Sequence, residues 1–251
     1  MMCASGTVSV VIPALNEEST VAAVVRAARA SCADEVIVVD SDSTDATAAN
    51  ASAAGATVLN WRDIAPDIPV QPGKGEALWR GVRAAHGDIV VFLDADVTTV
   101  GPEWVDGLVG GFVDKRVHLV KATYARTLDG APRGGGRVTE LTAKPLLRLL
   151  FPHLPQLDQP LAGEYAIRRS TALEVPFVAG YGVEAGLLID VAALHGPSSL
   201  TQVDLGQRIH RNRPLSELAD MSETVARTIL SRAGVAGIGD VPQRQPWTEL
   251  R

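Results

Sequence analysis

The chain has 251 residues, of which 46% are hydrophobic and 21% charged, and its formal net charge is -6. A chain of this length can bury a sizeable core, so we expect one α/β domain with an elaboration. The acidic balance argues against a nucleic-acid partner or an anionic-membrane surface, since both need a basic stripe. The apolar runs stop well short of the roughly 18 residues of a membrane span, and the amino terminus lacks a signal-peptide pattern. We therefore expect a cytoplasmic protein without stable membrane association.

The first half of the chain alternates predicted strands and helices. Apolar, β-branched runs predict buried strands at 7–12, 35–39 and 57–59, and apolar residues at helical spacing follow the first two runs. Asn16 is the candidate N-cap of the first helix, and Gly55 ends the second. Strands and helices that alternate in this way form right-handed crossovers and a parallel sheet.

A lysine between two glycines precedes the third predicted helix, at 76–85. Gly73, Lys74 and Gly75 allow the backbone to approach a phosphate closely and bring an ammonium group next to it. The spacing differs from that of a nucleotide P-loop, so a surface turn with a solvated lysine is the alternative interpretation.

The strand predicted at 89–93 is followed by two carboxylates, Asp94 and Asp96. Its five apolar residues are typical of a strand that is covered on both faces of a sheet. Ligands of open α/β sheets bind outside the carboxyl ends of the strands, and residues two apart on an extended chain point to the same side. Two hard oxygen ligands suit Mg²⁺ or Mn²⁺, with substrate phosphates in the open positions. The alternative is a solvated turn without a ligand.

A local basic cluster follows in this acidic chain. Residues 121–150 hold six basic side chains against two acidic ones, a net charge of +4, which favours a small anionic substrate. Within this segment, three glycines at 134–136 stand between Arg133 and Arg137, directly before a helix predicted at 138–150. Backbone N–H groups, a helix dipole and guanidinium groups together form an anion site. A surface loop without a ligand is the alternative.

Further strands and a closing helix are predicted in the second half of the chain. The strands lie at 117–124, 161–167, 200–205 and 206–210, and the helix lies at 214–232. Polar neighbours suggest an exposed position in the sheet for the strand at 117–124. Glu184 begins another helix, where its carboxylate is either a functional group or only a helix N-terminal acid.

His210 lies in a basic segment that includes Arg208, Arg211 and Arg213. Neighbouring like charges disfavour the protonated form of a histidine, so we expect a neutral ring that can bind a metal through a nitrogen. A divalent site built on the two aspartates needs a third ligand from the second half of the chain. A partly buried structural histidine is the alternative interpretation.

Eight motifs together resemble one known family. In chain order they are Pro13-Ala14-Leu15-Asn16-Glu17, Asp40-Ser41, Pro72-Gly73-Lys74-Gly75-Glu76-Ala77-Leu78, Leu93-Asp94-Ala95-Asp96, Gly135-Gly136-Arg137-Val138-Thr139-Glu140-Leu141, Pro160-Leu161-Ala162-Gly163-Glu164, Gly180-Tyr181-Gly182-Val183-Glu184 and His210-Arg211-Asn212-Arg213-Pro214-Leu215. The chain resembles the retaining glucosyl-3-phosphoglycerate synthases, a GT-A glycosyltransferase family of actinobacteria, from about Val8 to Gly234.

The resemblance implies a fold and its division. The fold is α/β, with a GT-A (Rossmann-like) mainly parallel sheet flanked by helices and a smaller acceptor-binding C-terminal part. Residues 1–120 are the expected nucleotide-sugar-binding half, residues 121–240 the acceptor-binding half of the same domain, and residues 241–251 a C-terminal tail.

The resemblance also assigns site residues. The expected donor-binding residues are Pro13, Ala14, Leu15, Glu17, Ser41, Gly73, Lys74, Asp94, Ala95, Asp96 and Arg208. The expected acceptor-binding residues are Gly136, Arg137, Val138, Thr139 and Asn212. The expected metal ligands are Asp96 and His210, and the expected catalytic residues are Glu184, Lys74 and Arg208.

The implied reaction moves glucose from UDP-glucose to the 2-hydroxyl of 3-phosphoglycerate with retention, using Mg²⁺ or Mn²⁺, in a homodimer. Three alternatives stay open on the sequence. One is a transferase of the same fold with another donor, such as GDP-mannose, or another acceptor, such as a polyprenyl phosphate. The second is a nucleotidyltransferase, which also uses a carboxylate pair with a metal. The third is a nucleotide-sugar sensor without turnover.

Overall fold

The computed structural model describes residues 6–128, 131–133, 136–208 and 215–250. The strands of this part of the chain are β1 (Val8–Ala14), β2 (Glu35–Asp40), β3 (Thr57–Asn60), β4 (Ile89–Phe92), β5 (Leu119–Leu128), β6 (Ala131–Arg133), β7 (Tyr165–Arg168), β8 (Phe177–Val178), β9 (Leu200–Arg208) and β10 (Gln243–Arg244). The α-helices are α1 (Val21–Arg29), α2 (Thr47–Ala53), α3 (Lys74–Ala84), α4 (Pro102–Gly110), α5 (Lys144–Leu150), α6 (Arg169–Glu174), α7 (Val183–His195) and α8 (Leu215–Arg232). Among these helices, none has the combination of length and apolar character that crossing a membrane requires.

Eight of the described strands form one mixed sheet, in the order β3-β2-β1-β4-β7-β5-β6, with β9 paired to β5. The first four strands in this order are mutually parallel, which confirms the parallel arrangement predicted from the alternation of strands and helices. β7 runs antiparallel to both β4 and β5, whereas β9 is parallel to β5. The two halves of the chain therefore share one sheet, in which β7 lies between β4 of the first half and β5 of the second.

The hydrophobic core forms one layer on each face of the sheet. Val8, Val10 and Ile12 of β1 pack into the layer that contains α1 and α4, while Val11 packs into the layer that contains α3 and α7. Successive side chains of a strand point to opposite faces, so a strand covered on both sides needs apolar residues at successive positions. This requirement explains the continuous apolar runs in the sequence.

The strand predicted at 117–124 is not exposed, so that prediction is wrong. β5 lies between β7 and β9, and its residues Val120, Lys121 and Ala122 are buried. The Lys121 ammonium group donates a hydrogen bond to the carbonyl oxygen of Ala162 at 2.6 Å. Because this lysine has a partner inside the protein, its polarity does not indicate an exposed strand.

Asn16 is not the N-cap of α1, contrary to the prediction. The helix begins at Val21 and the residue before it is Thr20. Asn16 adopts a positive φ of 55°, and its side-chain oxygen accepts a hydrogen bond from the backbone N–H of Thr44 at 2.8 Å. It therefore joins two loops instead of capping a helix.

The helix predicted at 138–150 begins with a π-helical segment, Thr139–Ala143, and continues as α5. The backbone N–H of Lys144 donates to the carbonyl of Thr139, five residues back. Pro145 has no N–H with which to continue the ordinary helical pattern. Short π-helical segments of this kind are frequent at functional sites.

The two strands predicted at 200–205 and 206–210 form a single strand, β9, within the described residues. Gly206 has a φ of 82°, and the pairing with β5 shifts register between Thr123 and Ala125. The glycine therefore marks an irregularity inside one strand, whereas the sequence suggested a break between two.

Gly75 allows the first turn of α3 to lie directly against β8. A methyl group built on Gly75 would lie 2.0 Å from the carbonyl oxygen of Val178, so a side chain fits only if the backbone moves. We expect Gly75→Ala to lower the free energy of unfolding by about 1–3 kcal/mol, the usual cost of forcing extra atoms into a packed interior.

Gly110→Ala is the matched control for this substitution. Gly110 ends α4 and has open space where its Cβ would lie, and alanine is the better helix former by up to about 1 kcal/mol. Urea unfolding of both variants measures the difference. A Gly75→Ala protein as stable as Gly110→Ala would show that the contact between α3 and β8 is not tight.

Candidate functional site

A cavity of about 400 Å³ lies at the carboxyl ends of β1, β2 and β4. It is lined by Pro13, Ala14, Leu15, Glu17, Ser41, Trp61, Gly73, Lys74, Ala77, Asp94, Ala95, Asp96, Gly180 and Tyr181. All residues predicted to bind the donor line this cavity except Arg208, which ends β9 and whose side chain is outside the described part of the chain. Ligands of open α/β sheets bind at this edge, so the cavity is the candidate site.

Two loops that follow β1 and β2 form one wall of the cavity. The backbone N–H of Ser41 donates to the carbonyl of Ala14 at 2.9 Å, and the N–H of Glu17 donates to the hydroxyl of Thr47 at 2.7 Å. The first bond extends the pairing of β1 and β2 into the loops, and the second ties the loop after β1 to the hydroxyl at the start of α2. The protein itself therefore fixes this wall before a ligand enters.

Lys74 connects three separate elements at the centre of the site. It is the first residue of α3, and Gly73 before it has a φ of 112°, a conformation that favours glycine. The ammonium group lies 2.6 Å from Oδ1 of Asp94, which follows β4, and 2.9 Å from Oε1 of Glu184, which lies in the first turn of α7. One cation thus holds two carboxylates that are far apart in the sequence.

The charge of Lys74 follows from these neighbours. Burial lowers the pKa of the lysine, but the carboxylates of Asp94 and Glu184 raise it by more, so its pKa lies well above the usual value. Lys74 is therefore a cation at neutral pH. The ammonium group is thus already in place when an anionic ligand enters the cavity. To bind the ligand, Lys74 needs only to exchange one of its carboxylate partners for it.

Asp94 and Asp96 lie beyond the end of β4, with a turn at Ala95 and Asp96, whereas the sequence predicted an extended segment. β4 ends at Phe92, and both aspartates nevertheless line the cavity. A methyl group built on Gly163 would lie 2.1 Å from Oδ2 of Asp94. The glycine thus lets the segment before β7 pack directly on the Asp94 carboxylate and fixes its position from the second half of the chain.

The donor atoms on this turn fit a hard divalent cation, because they are carboxylate oxygens at the edge of a cavity that is open to phosphate ligands. The described residues contain no cluster of three or more histidine, cysteine, aspartate or glutamate side chains that would enclose a metal by itself. His210, the predicted partner of Asp96, lies outside the described residues. The pairing of Asp96 with His210 stays a prediction.

A buried polar layer lies beneath the charged groups of the cavity. Lys121, Tyr165 and Phe92 face one another across β5, β7 and β4. The Lys121 ammonium group lies 4.2 Å from the centre of the Tyr165 ring, and the Phe92 and Tyr165 rings are 4.9 Å apart. Burial and the charge of Glu184 raise the pKa of Tyr165 well above its usual value. The layer therefore supports the site with a neutral phenol and a lysine.

Lys121 differs from Lys74 in its charge balance. Burial lowers the pKa of Lys121 to about 8, and the charge of Lys74 adds to this effect, while Glu184, Glu164 and Asp94 act in the opposite direction. Two lysines of the same site thus have pKa values shifted in opposite directions. The difference arises because Lys74 touches two carboxylates and Lys121 touches a carbonyl.

The predicted acceptor residues lie just before α5. Arg137 is exposed, whereas Val138 and Thr139 are buried and Gly136 is half-buried. Asn212, the remaining predicted acceptor residue, is outside the described residues. Their grouping into one acceptor site stays a prediction.

Sequence reasoning missed several groups that the structure places at the site. Trp61, Ala77, Gly180 and Tyr181 line the cavity, and Lys121 lies below it. The glycines around Tyr181 indicate a close approach of the backbone, but the resemblance assigns only Glu184 of this motif to the site. No local pattern distinguishes Trp61, which lies in a long connection, or Lys121, which lies in a strand.

Comparison with known proteins identifies relatives along most of the chain. Residues 9–174 match the model of a family described as glycosyl transferase family 2. The glucosyl-3-phosphoglycerate synthase of Mycolicibacterium paratuberculosis is 47% identical over 265 residues, which cover 98% of this chain and 80% of that protein. The protein of the same name from Petrotoga mobilis is 41% identical and is matched over 90% of this chain and 73% of its own length.

Solved structures show the same architecture. The glucosyl-3-phosphoglycerate synthase of Mycobacterium tuberculosis, in complex with Mn²⁺, UDP-glucose and phosphoglyceric acid, superimposes with a TM-score of 0.91 at 44% identity, covering 98% of this chain and 92% of that one. The structure of that protein with Mn²⁺, UDP and glucosyl-3-phosphoglycerate gives a TM-score of 0.89.

The lowered pKa of Lys121 predicts how the stability of the protein depends on pH. The folded protein releases this proton near pH 8, whereas the unfolded chain retains it up to the ordinary lysine pKa of 10.5. Between these values the unfolded state binds more protons, so the stability rises with pH. Relative to Lys121→Met, the wild-type protein should gain up to about 3 kcal/mol across this interval and nothing below it.

Urea unfolding at a series of pH values from 7 to about 10.5 tests this expectation. Lys115→Met, which removes an exposed lysine, controls for the loss of a positive charge at the surface. A difference between wild type and Lys121→Met that stays constant or falls with pH would contradict the assignment.

Proposed function

Because the chain belongs to glycosyl transferase family 2 and, within it, to the glucosyl-3-phosphoglycerate synthases, we propose that it transfers glucose from UDP-glucose to 3-phosphoglycerate. The observation that carries this proposal is the cavity in which Lys74 lies between Asp94 and Glu184. It combines a fixed cation for a diphosphate with carboxylates for sugar hydroxyls. The fold is of the GT-A type, in keeping with the matched structures of the family.

The donor binds in this cavity with its nucleoside against the loops that follow β1 and β2. Ala14, Leu15 and Glu17 contact the base and ribose together with Ser41. Lys74 contacts the diphosphate, and Asp94 accepts hydrogen bonds from hydroxyls of the sugar. The hydrogen bonds from Ser41 to Ala14 and from Glu17 to Thr47 support this placement, because they hold the loops in position before the donor binds.

Asp96 and His210 are the residues that would hold a divalent cation, Mg²⁺ or Mn²⁺. When bound, such a cation supplies positive charge next to the leaving diphosphate. The carboxylate donors and the open cavity support this assignment. Lys74 adds a second positive charge next to the same diphosphate. We propose that Arg208 at the end of β9 adds a third.

The transfer breaks the bond between the sugar C1 and the β-phosphate oxygen of UDP and forms a bond from C1 to the 2-hydroxyl oxygen of the acceptor. We favour attack on the same face as the departing group, which retains the configuration at C1. The departing phosphate oxygen takes the proton of the acceptor hydroxyl. Lys74 stabilises the developing negative charge, and Glu184 orients the sugar from the other side of the ammonium group.

The rival mechanism is a double displacement with Glu184 as the nucleophile. The two routes differ in one observable, because only the second places glucose on the protein. Mass spectrometry of the protein after rapid quenching with UDP-glucose should show no glucosylated peptide that contains Glu184. Detection of that adduct would overturn the same-face mechanism without affecting the proposed overall reaction.

The acceptor binds near the turn before α5. Gly136 contributes its backbone N–H, and Arg137, Val138 and Thr139 surround the phosphate, with Asn212 at the carboxylate end. The net charge of residues 121–150 and the exposed guanidinium group of Arg137 support this assignment. A second anion site of this kind favours an enzyme with two substrates over a sensor for one nucleotide sugar.

We also propose that the protein is a cytoplasmic homodimer. Leu141 and Leu149, in the π-helical segment and in α5, are 78% and 76% exposed. Large apolar side chains at a surface favour self-association. Size-exclusion chromatography with light scattering should give twice the chain mass, and a monomer would contradict the dimer alone.

The reaction is tested by incubating the purified chain with 3-phosphoglycerate, Mg²⁺ and a series of nucleotide sugars. We expect release of UDP from UDP-glucose only when 3-phosphoglycerate is present, loss of this release with a chelator, and recovery with Mg²⁺ or Mn²⁺. Release of GDP from GDP-mannose would reassign the donor. Pyrophosphate would indicate a nucleotidyltransferase, and binding of UDP-glucose without any release would indicate a sensor.

Arg137→Ala should raise KM for 3-phosphoglycerate by roughly tenfold to a hundredfold, because a charge-assisted hydrogen bond contributes about 1.5–3 kcal/mol. KM for UDP-glucose should change less than about twofold, within the effect of an ordinary surface substitution. Arg148→Ala, which removes an exposed arginine from α5, is the control. Equal increases in both KM values would contradict the assignment of Arg137 to the acceptor.

A further inference from the structure

The C-terminal segment 242–249, which we call the strap, lies against elements that carry the donor cavity. β10 of the strap pairs antiparallel with β8, and the backbone N–H of Ala179 donates to the carbonyl of Pro242 at 2.9 Å. β8 leads directly to Gly180 and Tyr181, which line the cavity. The strap therefore holds the segment that forms this wall.

Arg244 of the strap forms a two-pronged ion pair with Glu76 of α3. Its Nε lies 2.6 Å from Oε2 of the carboxylate, and its Nη2 lies 2.8 Å from Oε1. The Glu76 side chain is 1% exposed and that of Arg244 is 13% exposed. Glu76 is only two residues after Lys74, in the first turn of the same helix. A fork of this kind fixes both position and angle.

The same carboxylate also holds Arg80, which is fully buried one turn further along α3. Nε of Arg80 lies 2.6 Å from Oε1 of Glu76. The rest of its guanidinium group donates to carbonyl oxygens of the connection before α3, including those of Trp61 at 3.1 Å and Ile68 at 2.6 Å. Nη2 of Arg244 donates to the carbonyl of Pro69 in the same connection.

Glu76 is therefore the centre of a buried network. Two guanidinium groups against one carboxylate leave a surplus positive charge. It is tolerable because Arg80 donates to several carbonyl oxygens and Arg244 is partly exposed to solvent. The network joins the strap, the first turn of α3 and the connection that carries Trp61. Lys74 and Trp61, at the ends of this network, both line the cavity.

A second, uncharged attachment holds the strap to α3. The rings of Trp79 and Trp247 stack with their centres 3.6 Å apart and an angle of 12° between their planes. Trp247 donates from Nε1 to the carbonyl of Trp79 at 2.9 Å, and Trp79 donates from Nε1 to the carbonyl of Gln245 at 3.0 Å. The Arg244 guanidinium carbon lies 5.0 Å from the centre of the Trp79 ring, but the stacking of the two rings and both indole hydrogen bonds do not need it. A variant without the guanidinium group therefore keeps this attachment of the strap.

We propose that Arg244 is a positioning residue for donor binding, acting through Glu76 on the start of α3 and on the connection that carries Trp61. The inference rests on the proposed function insofar as the ligand of the cavity is a UDP-sugar. It assigns the strap to the donor site, although the strap begins more than 140 residues after Asp96. Arg244 itself touches neither substrate nor reacting atoms in this assignment.

Arg244→Met tests the proposal, because methionine keeps the apolar stem and removes the fork. We expect Kd for UDP, measured by titration calorimetry in the presence of Mn²⁺, and KM for UDP-glucose to rise about tenfold. KM for 3-phosphoglycerate should stay within twofold. Arg244→Lys, which keeps the charge without the fork, should lie between wild type and Arg244→Met.

Arg168→Met is the matched control for lost stability. Arg168 also donates from Nε to a backbone carbonyl, that of Val117 at 2.7 Å, but it pairs with Ile89 at the start of β4, the end of the sheet away from the cavity. The Arg168→Met protein should bind UDP as tightly as wild type, even if its melting temperature falls as far as that of Arg244→Met.

Three results would overturn the inference: unchanged UDP affinity in Arg244→Met, equal weakening of UDP binding in Arg168→Met, or equal increases in both KM values. If Arg244→Met does not fold, Arg244→Lys is judged by the same criteria.

The calorimetric measurement needs binding but no turnover. It therefore tests the role of Arg244 separately from the proposed glucosyl transfer. A wild-type protein that binds UDP but releases none from UDP-glucose contradicts the proposed reaction and leaves the role of Arg244 open to the same measurement.

Discussion

The contact of one ammonium group with two carboxylates is the interaction on which the site depends. Lys74 begins α3, Asp94 follows β4, and Glu184 lies in the first turn of α7, so the pair of ion contacts joins three elements that the sheet only brings near one another. A cation without these partners would be costly to bury. With them it stays charged, and the same arrangement places one positive group and two acceptors at the cavity.

The sheet explains how such distant residues meet. The parallel strands β1, β2 and β4 end at one edge and place the loops that line the cavity there, as expected for an open α/β sheet. β7 runs antiparallel beside β4, so the segment that enters it arrives at the same edge from the second half of the chain. Gly163 then packs on Asp94. The mixed pairing of β7 is thus what closes the site between the two halves.

Buried charged side chains lie next to the cavity edge of the sheet and support it. Lys121 lies under the site with a carbonyl and an aromatic ring as neighbours, and Glu76 lies behind it between two guanidinium groups. Lys121 has a carbonyl partner, and both oxygens of Glu76 accept from guanidinium groups, which lowers the cost of burying these charges. α3 has a particular part in this arrangement, because one end of the helix faces the ligand cavity while its buried side holds the strap.

The sequence by itself determined the family, the α/β class, the parallel first half and the group of loop residues that line the cavity. These features depend on local signals: continuous apolar runs, glycines beside a lysine, and carboxylates directly after a strand. The predictions that were wrong concern residues whose environment depends on distant partners. Polar residues near 117–124 suggest exposure only because local sequence does not show that Lys121 has a carbonyl partner 41 residues away. Asn16 has the composition of a helix cap, but its partner lies in another loop.

Only the tertiary structure decided where the C-terminal residues lie and which charges meet. Arg244 and Glu76 are 168 residues apart, and no spacing in the sequence links them. The same holds for Lys74 and Glu184, which are 110 residues apart. Local patterns report the periodicity and the conformation of a segment, whereas an ion pair depends on where folding places two segments in space. The sequence therefore specified the loops of the site, and the packing of α3, α7 and the strap against the sheet decided how their charges are combined.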